Sequence, residues 1–435
     1  MDLLGRIRSR IDARTASDIA FILFFTYKAW FTVFRLSLTR VSTGLSLLLI
    51  YVFVFIAVCL SRRRKQDLAA AVFVVGLCAA VFAVTYAIHP EYGKWFFENP
   101  DYGLFASVFD PSDGIFAFLF VCLCESDEDL RRNMRIVAWI MLLFAAYQLI
   151  PVIRTGHWNT AARTGLRTNQ STYSLGFGYR TILCVMVFWN EFRTSGKDLS
   201  RALSGLSLVM VLKYGGRGCL LALAVFLLLR YMVHARKQGW KNALIVAAAL
   251  FVFWLWYSET YIALIQFAAA HAGRLGQSRT VQKLLDGTFF EDNARKRIWA
   301  LSAGIIRDNW PFGRGAYGDR LIIGQYYSWG YSHDIFLEMM VTFGAAGAVI
   351  MALFILGIVR FVTDRKNDGC VDVFLVFVGL ACQLLVSDSF WYNTAFWAIL
   401  AMMYKGLRRG PVRKVGNRYE QSPRPVALED NQYDF

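Results

Sequence analysis

An all-α, polytopic membrane fold is predicted for this 435-residue chain by three observations. Hydrophobic residues make up 57% of it, more than a soluble core hides without lipid. Apolar runs of about 20 residues, the length that crosses a bilayer, recur along it. The basic residues behind the net charge of +16 fall between those runs, where they read as topology signals rather than as a nucleic-acid surface.

Twelve transmembrane helices are predicted, at 18–38, 43–60, 68–88, 112–124, 134–152, 173–190, 200–214, 217–233, 242–262, 333–362, 371–386 and 389–404. The fourth and seventh are short, and the first carries Lys28 and Arg35. Five regions follow: a basic cytoplasmic N-terminus (1–17), nine helices (18–262), an extracytoplasmic loop (263–332), three helices (333–404) and a basic cytoplasmic tail (405–435). Met1–Ser17, with Arg6, Arg8, Arg10 and Arg14, does not read as a cleavable signal peptide. Basic residues at Arg62–Lys65, Arg131/Arg132/Arg135, Arg193/Lys197/Arg201, Arg230–Lys241 and Arg360/Arg365/Lys366 belong to one side. The short loops opposite hold only Arg40, Lys94, Arg154, Arg163, Arg167, Lys213 and Arg217. This asymmetry puts both termini in the cytoplasm. The eight cysteines have no zinc-site spacing and read as small core residues.

The loop at 263–332 is too long for the charge rule and long enough to be functional. Ile298, Leu301, Ile305 and Ile306 predict a helix over Asn293–Asp308, stopped by Asn309-Trp310-Pro311. A second outside loop, His89–Asp113, is rich in aromatics. The acidic run Glu125–Asp129 reads as a solvated cytoplasmic loop.

Charged side chains near the outer membrane face are the candidate site. Arg217 stands in Gly215-Gly216-Arg217-Gly218, a break between apolar runs, and Arg180 lies two turns into a span. Such a guanidinium is costly unless it meets an anion. Arg297 is expected to be steadied by Trp299. Ser332 reads as the N-cap of the tenth span, which puts His333 in its first turn; the positive helix end there favours a neutral imidazole and attracts an anion. No outside loop carries Asp-x-Asp, so no metal or other cofactor is expected and arginines take the place of a cation.

Gly215-Gly216-Arg217-Gly218, Arg297-Ile298-Trp299, Asn309-Trp310-Pro311-Phe312-Gly313-Arg314-Gly315 and Ser332-His333-Asp334-Ile335-Phe336-Leu337-Glu338 before Phe343-Gly344-Ala345-Ala346-Gly347 together resemble the O-antigen ligase and polymerase superfamily of bacterial envelope glycosyltransferases. The resemblance covers about residues 170–362. Two positions depart from the pattern: Asp334 stands where Asn is usual, and Gly opens the arginine turn where Ser is common. The Asp334 carboxylate would raise the pKa of His333. The resemblance implies a GT-C-like protein of the bacterial inner membrane. It implies metal-independent, inverting transfer from an undecaprenyl-pyrophosphate-linked glycan donor to a glycan hydroxyl acceptor, with a chain-length regulator as an optional partner. On that reading His333 is the base, and Arg217 and Arg297 neutralise the leaving pyrophosphate. Arg180, Arg163, Arg314 and Glu338 then bind substrate, and Tyr331, Trp329 and Trp310 stack on sugar rings.

Repeat-unit polymerisation into O-antigen, capsular polysaccharide or exopolysaccharide is favoured over ligation of the finished glycan to lipid A core or another acceptor. Ser174–Tyr179 and Tyr317-Gly318-Asp319-Arg320 look like the wording of polymerases. A lipid-linked oligosaccharide flippase also fits twelve helices, but it leaves the long late loop and the missing internal repeat unexplained.

Overall fold

The computed structural model describes residues 12–37, 43–161, 168–171, 173–235, 295–327 and 330–409. Asp12 caps α1 (Ala13–Phe25), which breaks at Thr26 before α2 (Tyr27–Ser37). Then follow α3 (Thr43–Leu60), α4 (Arg62–Ile88), α5 (Ala117–Leu123) and α6 (Asp127–Thr155). A short antiparallel hairpin, β1 (Trp158–Ala161) and β2 (Thr168–Ser171), departs from the all-α expectation. Next are α7 (Leu175–Ser195), α8 (Asp198–Tyr214) and α9 (Arg217–Ala235). After the ninth expected span, 242–262, which lies outside the described residues, come α10 (Arg295–Asp308) and α11 (Arg320–Ile323). The chain then forms α12 (Ile335–Phe343), α13 (Ala345–Thr363), α14 (Val371–Ala381) and α15 (Thr394–Arg408).

Four described helices, α3, α4, α6 and α13, are long and apolar enough to cross a membrane. Their outward faces carry exposed residues such as Phe55, Phe73, Leu143 and Leu356, the surface a lipid environment requires of a helix. Inward, α7 packs on α6 and α8, α1 on α3, α9 on α14, and α15 on α5 and α14. Cys59 is exposed and the other seven cysteines are buried; all eight are free thiols.

Ionic contacts gather at one end. Arg14 donates to Asp129 at 2.9 Å, Arg132 pairs with Asp18, Arg408 meets Asp67 at 3.1 Å, and Arg409 pairs with Asp127. Lys405 donates to the carbonyl of Cys124 at 2.6 Å. The acidic run is therefore only partly solvated: Glu125 and Glu128 are exposed, whereas Asp129 is buried. Ser126 and Asp129 form a capping box at the start of α6, and the Asp129 side chain is wholly buried against arginines. The cause is the helix N-terminus, where carboxylates satisfy amides and cations alike.

At the other end the two expected outside loops meet. Arg314 Nε donates to the Tyr92 hydroxyl at 2.9 Å, Tyr317 and Ser107 share a hydrogen bond of 3.2 Å, and Lys28 pairs with Asp113 at 2.6 Å.

The expected tenth span, 333–362, is two helices rather than one. The chain reverses at Gly344 (φ 57°), so that α12 folds against α13. Arg314 N–H and Gly315 N–H donate to the carbonyls of Val341 (2.7 Å) and Thr342 (3.1 Å). These bonds satisfy carbonyls that the last turn of α12 leaves open. Ala345 N–H donates to Pro311 O at 2.8 Å. The Pro311–Gly315 turn and the glycine reversal thus form one interlocked unit.

Candidate functional site

The turn that carries His333 is held from beneath by a buried ionic cluster. Arg320 is 1% exposed, Asp319 1% and Glu338 2%. Arg320 Nη1 meets Asp319 Oδ1 at 2.6 Å, and Nη2 meets Glu338 Oε1 at 2.9 Å and Ser389 Oγ at 3.2 Å. The guanidinium lies 4.4 Å from the Tyr317 ring and 5.2 Å from the Tyr331 ring. Asp319 Oδ2 accepts from both Ser332 N–H (2.9 Å) and Ser332 Oγ (2.7 Å), while Ser302 of α10 donates to Ser332 Oγ at 3.0 Å. Burial opposes the charge on Arg320, but Asp319 and Glu338 override it and hold the group protonated.

Asp334, not Ser332, caps α12: its Oδ1 accepts Leu337 N–H at 3.1 Å. Ser332 is taken by Asp319, so His333 sits ahead of the helix rather than in its first turn, with φ 53°. Its ring lies 4.2 Å from that of Tyr331. His333 lies in the turn ahead of α12, and its pKa is pushed down to about 4 by burial first, then by Arg295 and Arg320. The neutral imidazole expected from a helix end therefore arises from burial and two cations. Asp334, whose carboxyl burial raises, is engaged in capping and does not lift the pKa of His333.

The cations are arranged differently from the sequence expectation. Arg297 is exposed on α10, and its guanidinium lies 4.5 Å over Tyr326, not against Trp299. Its neighbour Arg295 is the one whose charge reaches His333. Arg217 opens α9; its side chain lies outside the described residues, as do Arg163 and Trp329. Arg314 faces Tyr92. Tyr331 is buried and donates to Ser387 O at 3.0 Å, and both carboxylate oxygens of Glu338 are engaged, by Arg320, Ser389 and Phe390 N–H. These two residues, expected to touch substrate, both frame the turn. Trp310 is 58% exposed.

Arg180 faces a separate cavity of about 370 Å³. Its lining includes the polar Lys28, Asp113, Asp388 and Tyr392 and the apolar Phe24, Phe25 and Phe377. Arg180 Nη2 donates to Gln148 at 3.1 Å and has no carboxylate in ion-pair reach among the described residues. A half-buried guanidinium without a counter-ion suits an anionic group. Asp388, in the loop before α15, is pushed up to about 6 by burial, against hydrogen bonds from Asn393 and Ser389. Tyr331 joins the two regions: its ring is 6.4 Å from that of Tyr392 in the cavity wall. The first turn of α9 abuts the same lining, since a Cβ on Gly218 would lie 2.4 Å from the Tyr179 hydroxyl.

Sequence reasoning passed over Arg320, Arg295, Asp319 and Asp388. The adjacent charges Asp319-Arg320 after a glycine-rich turn were the available signal for the first and third of these.

Residues 202–352 match the family model described as O-antigen ligase. No curated protein and no solved structure matches the chain.

Proposed function

We propose, from the match of residues 202–352 to the family model described as O-antigen ligase, that this chain is an extracytoplasmic, metal-independent, inverting glycosyltransferase on a twelve-span, GT-C-like frame in the bacterial inner membrane. It polymerises oligosaccharide repeat units carried on undecaprenyl pyrophosphate. The observation that carries this reading is a neutral histidine, His333, beside an arginine-bearing helix, with Tyr331 between it and a cavity whose Arg180 guanidinium has no ion-pair partner among the described residues.

His333 accepts the proton of the attacking hydroxyl as the new glycosidic bond forms at C1. The C1–O bond to pyrophosphate breaks, and Arg217, Arg297 and Arg180 hold the departing charge. Charge-assisted forks suit a diphosphate because each guanidinium meets two oxygens at once. Ligation is the second reading, favoured by the description of the matched family model.

Purified protein in detergent with a synthetic lipid-pyrophosphate repeat unit tests the proposal. A polymerase lengthens the glycan from that substrate alone, and a ligase forms product only when a lipid A core acceptor is added. A flippase makes no bond, and that result rejects the enzyme reading. Turnover is expected to be the same with and without EDTA; loss of activity that added divalent metal restores would assign the charge to a cation instead of arginine.

Arg217→Lys is expected to lower turnover by about 10²-fold, the usual loss of one preorganised donor. A point charge replaces a fork at a helix N-terminus, where an anion is otherwise well held. Turnover equal to wild type would leave Arg217 as a lipid-facing residue.

A further inference from the structure

We infer that Arg320 is a positioning residue for His333: its buried guanidinium, through Asp319, Glu338 and Ser389, fixes the Tyr331–Ser332 turn that presents the imidazole. As far as turnover is concerned, this rests on the transferase reading.

The chain of contacts is short and closed. Arg320 holds Asp319 at 2.6 Å, and one oxygen of Asp319 takes both the amide and the hydroxyl of Ser332. The same guanidinium reaches Glu338 on α12 and Ser389 in the loop before α15. Ser302 ties α10 to Ser332. Three helices and a loop are therefore registered on one planar cation stacked between Tyr317 and Tyr331.

One residue beyond Ser332, the backbone of His333 takes φ 53°. A side-chain-bearing residue keeps that conformation only where its surroundings over-determine it. Here the determinants are the two bonds from Ser332 to Asp319, and the buried Arg320 guanidinium holds Asp319 in place from the other side. Lysine at 320 keeps the charge but has one nitrogen for two carboxylates and a serine.

The test uses Arg320→Lys and Ser332→Ala in the full-length protein, with two readouts. The rate of carbethoxylation by diethyl pyrocarbonate is followed by mass spectrometry at His333, with His89 and His157 as internal references. Turnover is split into kcat and donor KM. In either variant the rate at His333 is expected to rise about tenfold, equivalent to a local loosening of about 1.4 kcal/mol, with the references unmoved. With the imidazole displaced, kcat is expected to fall about 10²-fold and donor KM to stay near wild type.

An unchanged His333 rate in folded Arg320→Lys overturns the inference. If all three histidines react faster in Arg320→Lys, the fold has opened and Ser332→Ala decides. A rise confined to His333 supports positioning, and no rise rejects it. Full turnover by His333→Ala would remove the transferase role of His333, while the modification rates still report whether Arg320 holds the turn.

Discussion

His333→Ala is expected to lower glycosyl transfer by about 10²- to 10⁴-fold, the contribution of a positioned general base, while the protein folds. The folding half of the expectation comes from the site. The imidazole is part-buried and neutral, so its truncation removes no charge, and the bonds from Ser332 to Asp319 do not use the ring. Alanine tolerates the positive φ no better than histidine, and that strain is already present in the wild type. The thermal midpoint in detergent is expected to move little. Wild-type turnover by a folded His333→Ala protein would end the general-base proposal.

The same residue sets a pH expectation. A base works in its neutral form, and burial with Arg295 and Arg320 holds the pKa of His333 at about 4, below its ordinary 6.5. The neutral form is therefore present throughout the range above about pH 4 and is lost as pH falls through that value. An acid limb of kcat near pH 4 is expected, with no step near 6.5. A step at 6.5 that disappears in His333→Ala would mean that the ring is solvated during turnover.

Much of the helical framework was readable because membrane crossing imposes its own length and polarity on the chain. Apolar runs such as 43–60 and 68–88 have few alternatives to a helix, and α3 and α4 lie there. The Asn293–Asp308 spacing likewise coincides with α10. What escaped was tertiary choice. Ser332 and Asp334 are both good helix caps, and only the approach of Asp319 decides between them. Arg320 looks like a loop charge until Glu338, 18 residues on, and Ser389, 69 residues on, are brought to it. Arg297 and Trp299 are too near in sequence for one to cover the other on a helix, so a residue of the following loop, Tyr326, does so. His333 and the motif blocks were readable as candidates from the sequence. That the charges of Arg295 and Arg320 reach the imidazole was not.

Hydropathy alone sees 333–362 as one run, and substitution at its reversal is the sharpest check on the architecture. Gly344→Ala is expected to destabilise the protein by about 3 kcal/mol or more. An alanine Cβ there would lie 1.9 Å from Pro311 O and 2.6 Å from Gly313 N. Both are backbone atoms of the turn whose amides cap α12, so neither yields as a side-chain end does. The conformation itself, φ 57° and ψ −132°, is one that glycine alone adopts cheaply. Relief requires α12 to part from the Pro311–Gly315 turn, which removes the bonds to Val341 and Thr342 and shifts Glu338 relative to Arg320. Stability and transfer should therefore fail together. Gly357→Ala on α13 is the control, because its Cβ meets only the Met403 side chain, which can swing away. The measurement is the thermal midpoint of both variants in one detergent. Should Gly344→Ala melt with Gly357→Ala and the wild type, residues 335–363 would run as a single uninterrupted span, and the interlock that presents His333 would not exist.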